Sequence, residues 1–398
     1  MTKTWDKFGL KWALESYDQR FGIGHNAYRA SAILALLIEP VVDGDIVMDA
    51  GSGTGISTVA IYDSCPGDIE LICVEPAEAI RVAMHKFGHE TLFDSTDSEH
   101  TDFEQIRKQL GIGGMELSET YLQLLRETRV RMAVHTKKTS FFNVPAQEIS
   151  DLVDSGQIEA GSVDKIYCFS SFHWLANNEE SGITSAEYVA DSLKGFFKAL
   201  RPGGVLVFNE SGLQYDFGDD CVEAEGRQYV GMPINNIHML QQEFHKRFLC
   251  DLNNVFQERG FSDAILINPD GNVDDYHFLF NDGLLRDILN IHDFRFKRLE
   301  PMFRYDSPES GQECISYVSK EGKYLLTIMP KKSDDWERFI VTGGNMRYFN
   351  HAYELRKVPS EKRWDILKEA YSRTVDKYGS LMSVPFGETF ATFVAERV

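Results

Sequence analysis

Apolar residues in this chain gather into short unbroken runs, and the segments between the runs carry them at helical spacing. The runs are "DIVMDA" (45–50), "IELICVEP" (69–76), "TSFFNV" (139–144), "VDKIYCFS" (163–170) and "GGVLVFNES" (203–211). Short apolar runs bounded by turn residues are the signature of strands covered on both faces. The intervening "ISTVAIYDS", "AEAIRVAMHKFG" and "AEYVADSLKGFFKAL" repeat apolar residues near a 3.6-residue period. Strand and helix in alternation predict an α/β fold, a mainly parallel sheet with helices on both faces. Near the end, "RWDILKEAYSRTVDKYGS" followed by "GETFATFVAER" predicts a helix and a closing strand.

Two segments exceed that scheme. Residues 88–138 are charged and helical in pattern, as in "DFEQIRKQL" and "LSETYLQLLRET". Residues 212–360 form an irregular block rich in aromatics, with "YHFLF", "HDFRFKRLEPMFRY" and "MRYFNHAY". The expected organisation is a core over 1–211 with 88–138 as a helical insertion, a substrate-side cap or lid over 212–360, and a closing helix and strand over 361–398.

The first run ends in "MDAGSGTGIST", where an acid precedes three alternating glycines. A dinucleotide fingerprint needs G-x-G-x-x-G. Gly51 and Gly53 supply its first two glycines, but its third position is Ile56, so the pattern is G-x-G-x-G ending at Gly55. No G-K-[ST] follows, which excludes a P-loop. Bare backbone lets a ligand lie directly on the turn. A helix starting near Ile56 aims its amide dipoles into the same crevice. Asp49 offers an acceptor to a cationic group. The preferred ligand therefore lacks a pyrophosphate and carries an amino group. Glu75 ends the second run, about 20 residues beyond the turn, where a carboxylate takes ribose hydroxyls.

These stretches resemble the class I S-adenosylmethionine-dependent methyltransferases. "VMDAGSGTG" is similar to their first motif and "LICVEP" to their ribose-binding strand end. "VPAQEI" resembles the adenine-side motif, "VDKIYCFSSFHWL" the fourth-strand motif and "ALRPGGVLVFNES" the fifth. The likeness covers about residues 40–211 and extends to a final strand at 388–397. It implies a Rossmann-like sheet of seven mostly parallel strands with the lid inserted before the last. It implies S-adenosyl-L-methionine as cofactor, with Gly51, Gly53 and Gly55 under the methionine and ribose, and Asp49 at the amino end. Glu75 would take the ribose hydroxyls, and Ala146 and Gln147 would border adenine. The family's acid before that alanine is Pro145 here, which passes the adenine amino contact to Gln147. "SSFHWL" resembles small-molecule methyltransferases such as those acting on trans-aconitate and juvenile hormone acid. The resemblance implies methyl transfer to a small molecule, with oxygen as the preferred acceptor and carbon or nitrogen as the alternative. A protein that keeps the cofactor fold without catalysis is the reading outside the enzymes.

Acceptor-side chemistry falls on fewer residues. His173 follows the fourth run, as a base or substrate hydrogen bond on one reading and a helix cap on the other. Glu210 ends the fifth run and either meets substrate or caps the next turn. Ser170 and Ser171 contact the methionine carboxylate or satisfy the strand end. Trp174 is read as packing. Tyr17 and Arg20, in "YDQRFGIGHNAYR", either close over the cofactor or face solvent. The histidines lack metal-site spacing, so no metal is expected.

Composition narrows the partners. A net charge of −20 argues against a nucleic-acid partner, which needs a basic face. The six cysteines form no C-x-x-C pair, and Cys73 and Cys168 sit inside apolar runs, as buried thiols do. No apolar run reaches the ~20 residues a membrane span needs, and residues 1–12 lack a signal-peptide core. A cytoplasmic location is the resulting expectation.

Overall fold

Strand β1 (Ile46–Ala50) shows why the chain folds as it does: its residues alternate between two covered faces. Met48 and Ala50 enter a cluster with Ile166, Cys168, Leu206 and Phe208. Val47 and Asp49 point the other way, and Asp49 bonds to the helix that follows the glycine turn. Period-two alternation with both faces buried is what an apolar strand in a parallel sheet requires.

The computed structural model describes residues 10, 13–14, 18–19, 27–65, 67–92, 117–169, 171, 185–211, 223–224, 227–228, 234–261, 287, 289–309, 312–319, 323–328, 360–379 and 386–398. The chain divides into two compact units. One holds Met1–Leu213, Leu279–Glu300 and Ala391–Val398; the other holds Gln214–Phe278 and Pro301–Phe390.

In the first unit α1 (Ala27–Ile38) precedes β1. Then come α2 (Ile56–Ser64), β2 (Glu70–Val74), α3 (Ile80–Lys86), α4 (Glu119–Met132), β3 (Thr139–Phe142) and α5 (Ile149–Asp154). β4 (Val163–Phe169), α6 (Ser185–Ala199) and β5 (Leu200–Ser211) follow. β1 pairs parallel with β2 and β4, β2 with β3, and β4 with β5. The chain thus builds outward through β2 and β3, then returns to β4 beside β1. That reversal puts a crevice at the carboxyl ends of β1 and β4, where open α/β sheets take ligands. α1 packs on α2 and α5 on α6. Of the 88–138 insertion, α4 is described. Ser118 caps it by accepting the Tyr121 N–H at 3.2 Å, and Tyr121, Leu122 and Leu125 are its buried face.

In the second unit a two-residue ladder pairs β6 (Glu223–Ala224) with β7 (Arg227–Gln228). α7 (Ile234–Glu258) packs on α8 (Ser360–Tyr378). Phe248, Leu252 and Phe256 are the apolar side of α7, and Ile366 and Ala370 that of α8. Asp251 is buried and accepts Thr374 Oγ1 at 3.1 Å and the Lys377 ammonium. The distal half of β8 (Phe294–Glu309) pairs antiparallel with β9 (Gln312–Ser319), and β9 with β10 (Leu325–Ile328).

With β11 (Phe386–Arg397), the strand order is β10-β9-β8-β11-β5-β4-β1-β2-β3. The Rossmann-like α/β sheet is as expected, but the count is nine and not seven. Three of the nine, β8, β9 and β10, lie in the stretch read as lid. There "QECISYVS" and "KYLLTI" are apolar runs too short and too charged at their edges to stand out as sheet. Cys73 and Cys168 are buried. Among the described residues no helix is long and apolar enough to cross a membrane, and no three metal-ligating side chains cluster.

Candidate functional site

The glycine turn at the end of β1 is held from below. Gly51 and Ser52 both donate their N–H to the Val74 carbonyl, at 2.8 and 3.2 Å, and Gly55 N–H donates to Ser52 O at 2.8 Å. All three glycines have positive φ, at 84°, 52° and 82° for Gly51, Gly53 and Gly55. That left-handed region is open to glycine at little cost.

Space separates their roles. A Cβ on Gly51 would lie 2.5 Å from Ser171 Cβ, and one on Gly55 would lie 2.9 Å from Ala83 Cβ. A Cβ on Gly53 would meet nothing within 4 Å. Gly51 therefore admits the end of β4, and Gly55 admits α3 while capping α2. Among the described residues, Gly53 is the one of the three that faces open space.

Asp49 is fully buried beneath this turn. Its Oδ2 accepts Ser57 Oγ at 2.8 Å and Thr58 Oγ1 at 2.7 Å, both from the first turn of α2. Its Oδ1 is buried and has no partner among the described residues. The same holds for Ser52 Oγ and Thr54 Oγ1, on residues 3% and 1% exposed. Buried polar atoms ordinarily find partners. Three such atoms around one glycine turn make a local concentration of buried polar groups without a partner among the described residues. Burial pushes the Asp49 carboxyl up to about 6, against the lowering effect of the two hydroxyls.

Glu75 stands just past β2. Its Oε2 accepts the Gly53 N–H at 3.0 Å and its Oε1 the Ala77 N–H at 2.9 Å. Burial lifts it to about 7, opposed by those two amide bonds and assisted by the charge of Asp49. Asn143, after β3, donates from Nδ2 to the Glu75 carbonyl at 2.8 Å and to that of Ala77 at 3.3 Å. It fixes the loop on which the Glu75 side chain is mounted.

Both carboxyls hold a proton in the folded chain at pH values where the unfolded chain, near 4, has lost it. The folded state binds more protons in that interval, so the contribution of these groups to stability falls as pH rises from about 4 through 6 to 7. Denaturant unfolding of the free protein at pH 5 and pH 7.5 is expected to show this decline, and Asp49→Asn to flatten it. An equal decline in Asp49→Asn would remove Asp49 from the account.

The structure therefore brings Asp49, Gly51, Gly53, Gly55 and Glu75 together at the carboxyl ends of β1 and β2. Ala146 is buried in the core, at the start of the short 3₁₀ turn Ala146–Glu148, and Gln147 beside it is half-buried. Ser171 is buried and donates from Oγ to the Ala50 carbonyl at 2.9 Å, so it satisfies the strand end. Tyr17, Arg20, Ser170, His173 and Trp174 lie outside the described residues. Glu210 is in β5, and its side chain is not among those described.

Four contributors carry little signal in the sequence. Ser57 and Thr58 were counted only as helix residues, although adjacent hydroxyls one turn past a strand-end acid are a readable sign. Asn143 had only its position after a strand run to announce it. Lys86, whose ammonium reaches the Thr54 carbonyl at 2.9 Å, gave no sign within an apolar helix pattern.

No family model and no curated protein matches the sequence. Solved structures do show similarity. Phosphoethanolamine N-methyltransferase 2 of Haemonchus contortus aligns over 98% of this chain and 60% of its own, at 10% identity and TM-score 0.38. This chain thus spans about three-fifths of that enzyme's length. The [4+2]-cyclase SpnF aligns over 94% and 82%, at 11% identity and TM-score 0.37. A geranyl diphosphate methyltransferase aligns over 93% and 77%, at 14% identity and TM-score 0.30. At such scores none of them assigns an activity to this chain.

Proposed function

We propose that the chain binds S-adenosyl-L-methionine on the glycine turn and transfers its methyl group to a small molecule. The observation that carries this reading is the glycine turn itself, with Asp49 bonded to the helix that follows it, Gly53 open on one side and Glu75 at the neighbouring strand end. The donor set fits the ligand: an anionic acceptor for an ammonium, a bare turn for the chain, and a second carboxylate for a ribose diol. The bound group would supply an activated methyl on a sulfonium. The protein's part is then to align donor and acceptor and exclude water. Asp49 holds the amino end and Glu75 the ribose, while Ala146 and Gln147 border the base. The position of Ile56, where a dinucleotide turn needs glycine, disfavours NAD.

On the acceptor side the proposal takes oxygen as the atom methylated. His173 would be its base or hydrogen-bond partner, Glu210 a second substrate contact, and Ser170 and Tyr17 further cofactor contacts. The support is the resemblance of "SSFHWL" to small-molecule methyltransferases. A carboxylate acceptor needs no base, whereas a hydroxyl does. Incubation with isotope-labelled donor and a metabolite extract identifies the acceptor class.

Calorimetry tests the cofactor. S-Adenosylhomocysteine is expected to bind and NAD is not; the reverse result removes the reading. Hydrogen bonds to a charged group contribute about 1.5–3 kcal/mol. Glu75→Ala should then weaken S-adenosylhomocysteine by at least roughly tenfold. Unchanged affinity in a folded variant places the ribose elsewhere.

A further inference from the structure

The binding reading leaves one buried charge cluster unused. Lys86 closes α3, and its side chain is 7% exposed. Its ammonium donates to Asp18 Oδ1 at 2.6 Å and to the Thr54 carbonyl at 2.9 Å. The second oxygen of Asp18, Oδ2, accepts the Tyr121 hydroxyl at 2.8 Å. Asp18 and Tyr121 are 2% and 1% exposed. Tyr121 belongs in turn to an apolar cluster with Leu10, Leu14, Val82 and Leu125. One ammonium therefore ties together the segment carrying Asp18, the glycine turn, α3 and α4.

Stability alone does not account for this arrangement. A buried ion pair is commonly no better than apolar residues of similar volume, because desolvation offsets the attraction. What the pair does specify is position. Thr54 lies between Gly53 and Gly55, so its peptide groups are flanked by the residues with the most backbone freedom. The ammonium fixes that carbonyl. With it fixed, Gly53 keeps its N–H on Glu75 Oε2 and its open face toward the crevice. Asp18 completes the charge balance, and the same segment is anchored again where Leu10 N–H donates to Glu78 Oε2 at 3.0 Å.

We propose that Lys86 is a positioning residue for the glycine turn, and that through Asp18 the docking of the segment carrying Leu10 and Asp18 strengthens ligand binding at the turn. This inference rests on the nucleoside reading of the site. Coupling between two such events is reciprocal: whatever factor docking adds to ligand affinity, the ligand returns to docking.

The test uses the full chain and S-adenosylhomocysteine. Wild type is titrated first; failure to bind there defeats the nucleoside reading itself. Asp18→Leu/Lys86→Met/Tyr121→Phe then removes the three polar side chains together, so that only the Thr54 carbonyl loses its donor. The expected result is a folded protein, melting close to wild type, that binds about tenfold more weakly, within the usual range for coupled sites. Wild-type affinity in that folded variant overturns the proposal. Should the variant not fold, amide exchange on wild type decides. S-Adenosylhomocysteine is expected to slow exchange across residues 10–19 by a similar factor, and unaltered exchange in a protein that binds the ligand overturns the proposal equally.

Discussion

Gly51→Ala is expected to cost the protein roughly 2–5 kcal/mol of stability, while Gly53→Ala leaves it folded and unable to hold its ligand well. The two residues are two positions apart in the motif and share its left-handed backbone, so the difference is spatial. A side chain in that region costs about 1–2 kcal/mol at either site. At Gly51 the added methyl also lands 2.5 Å from Ser171 Cβ and 2.7 Å from its Oγ. Ser171 cannot turn aside cheaply, because it is buried and its hydroxyl satisfies the Ala50 carbonyl. Overpacking of this kind adds about 1–3 kcal/mol, and the total is a large share of the 5–15 kcal/mol typical of a folded domain. At Gly53 nothing stands within 4 Å, so backbone strain is the whole stability cost. The methyl instead occupies the open side of the turn, and ligand affinity should fall by at least about tenfold. Denaturant unfolding and calorimetry on both variants check the pair. A Gly51→Ala protein within ~1 kcal/mol of wild type would contradict the packing argument. Undiminished binding in Gly53→Ala would remove the turn from the ligand's path.

Asp49→Asn is expected to weaken S-adenosylhomocysteine by roughly 10- to 100-fold while leaving the fold in place. The charge is the point of the substitution: size is kept and the anion is lost. A charge-assisted hydrogen bond in a buried site contributes about 1.5–3 kcal/mol. Holding that carboxylate ionised at pH 7.5 is a burden on the free protein, because burial has pushed it up to about 6. The amide lifts the burden, though its two N–H groups then need partners where Oδ1 now has none among the described residues. Stability at pH 7.5 should consequently change far less than affinity does. Affinity within threefold of wild type would show that the amino end of the ligand is held by another group.

Much of this was legible in the chain because it is local. The order of the first five strands follows from apolar runs and the helical spacing between them. The glycine turn is contiguous, and Glu75 sits where a strand run stops. What was not legible depends on residues far apart in sequence. That Gly51 serves β4 and Gly55 serves α3 requires Ser171 and Ala83 to be next to the turn, and no spacing rule states this. Lys86 reads as one more helix residue until Asp18 and Tyr121 surround it. β9 and β10 were absorbed into the aromatic block because antiparallel pairing among short, charged-edged runs leaves a weaker pattern than strands buried on both faces.

The alternation along β1 limits how the chain can change in length. Asp49 reaches α2 and Ala50 enters the opposite core because they are adjacent on a two-faced strand. Removing one residue from within β1 while its carboxyl end stays fixed would exchange the faces of the residues before the gap. Met48 and Val47 would trade sides, and core and crevice would fail together. Insertions and deletions are tolerable where backbone pairing is absent, in the connections between strands and helices. The recognition chemistry proposed for this protein therefore travels with a stretch of fixed length, Ile46 to Thr58, whose two ends cannot drift apart without losing either the sheet or the proposed ligand contacts.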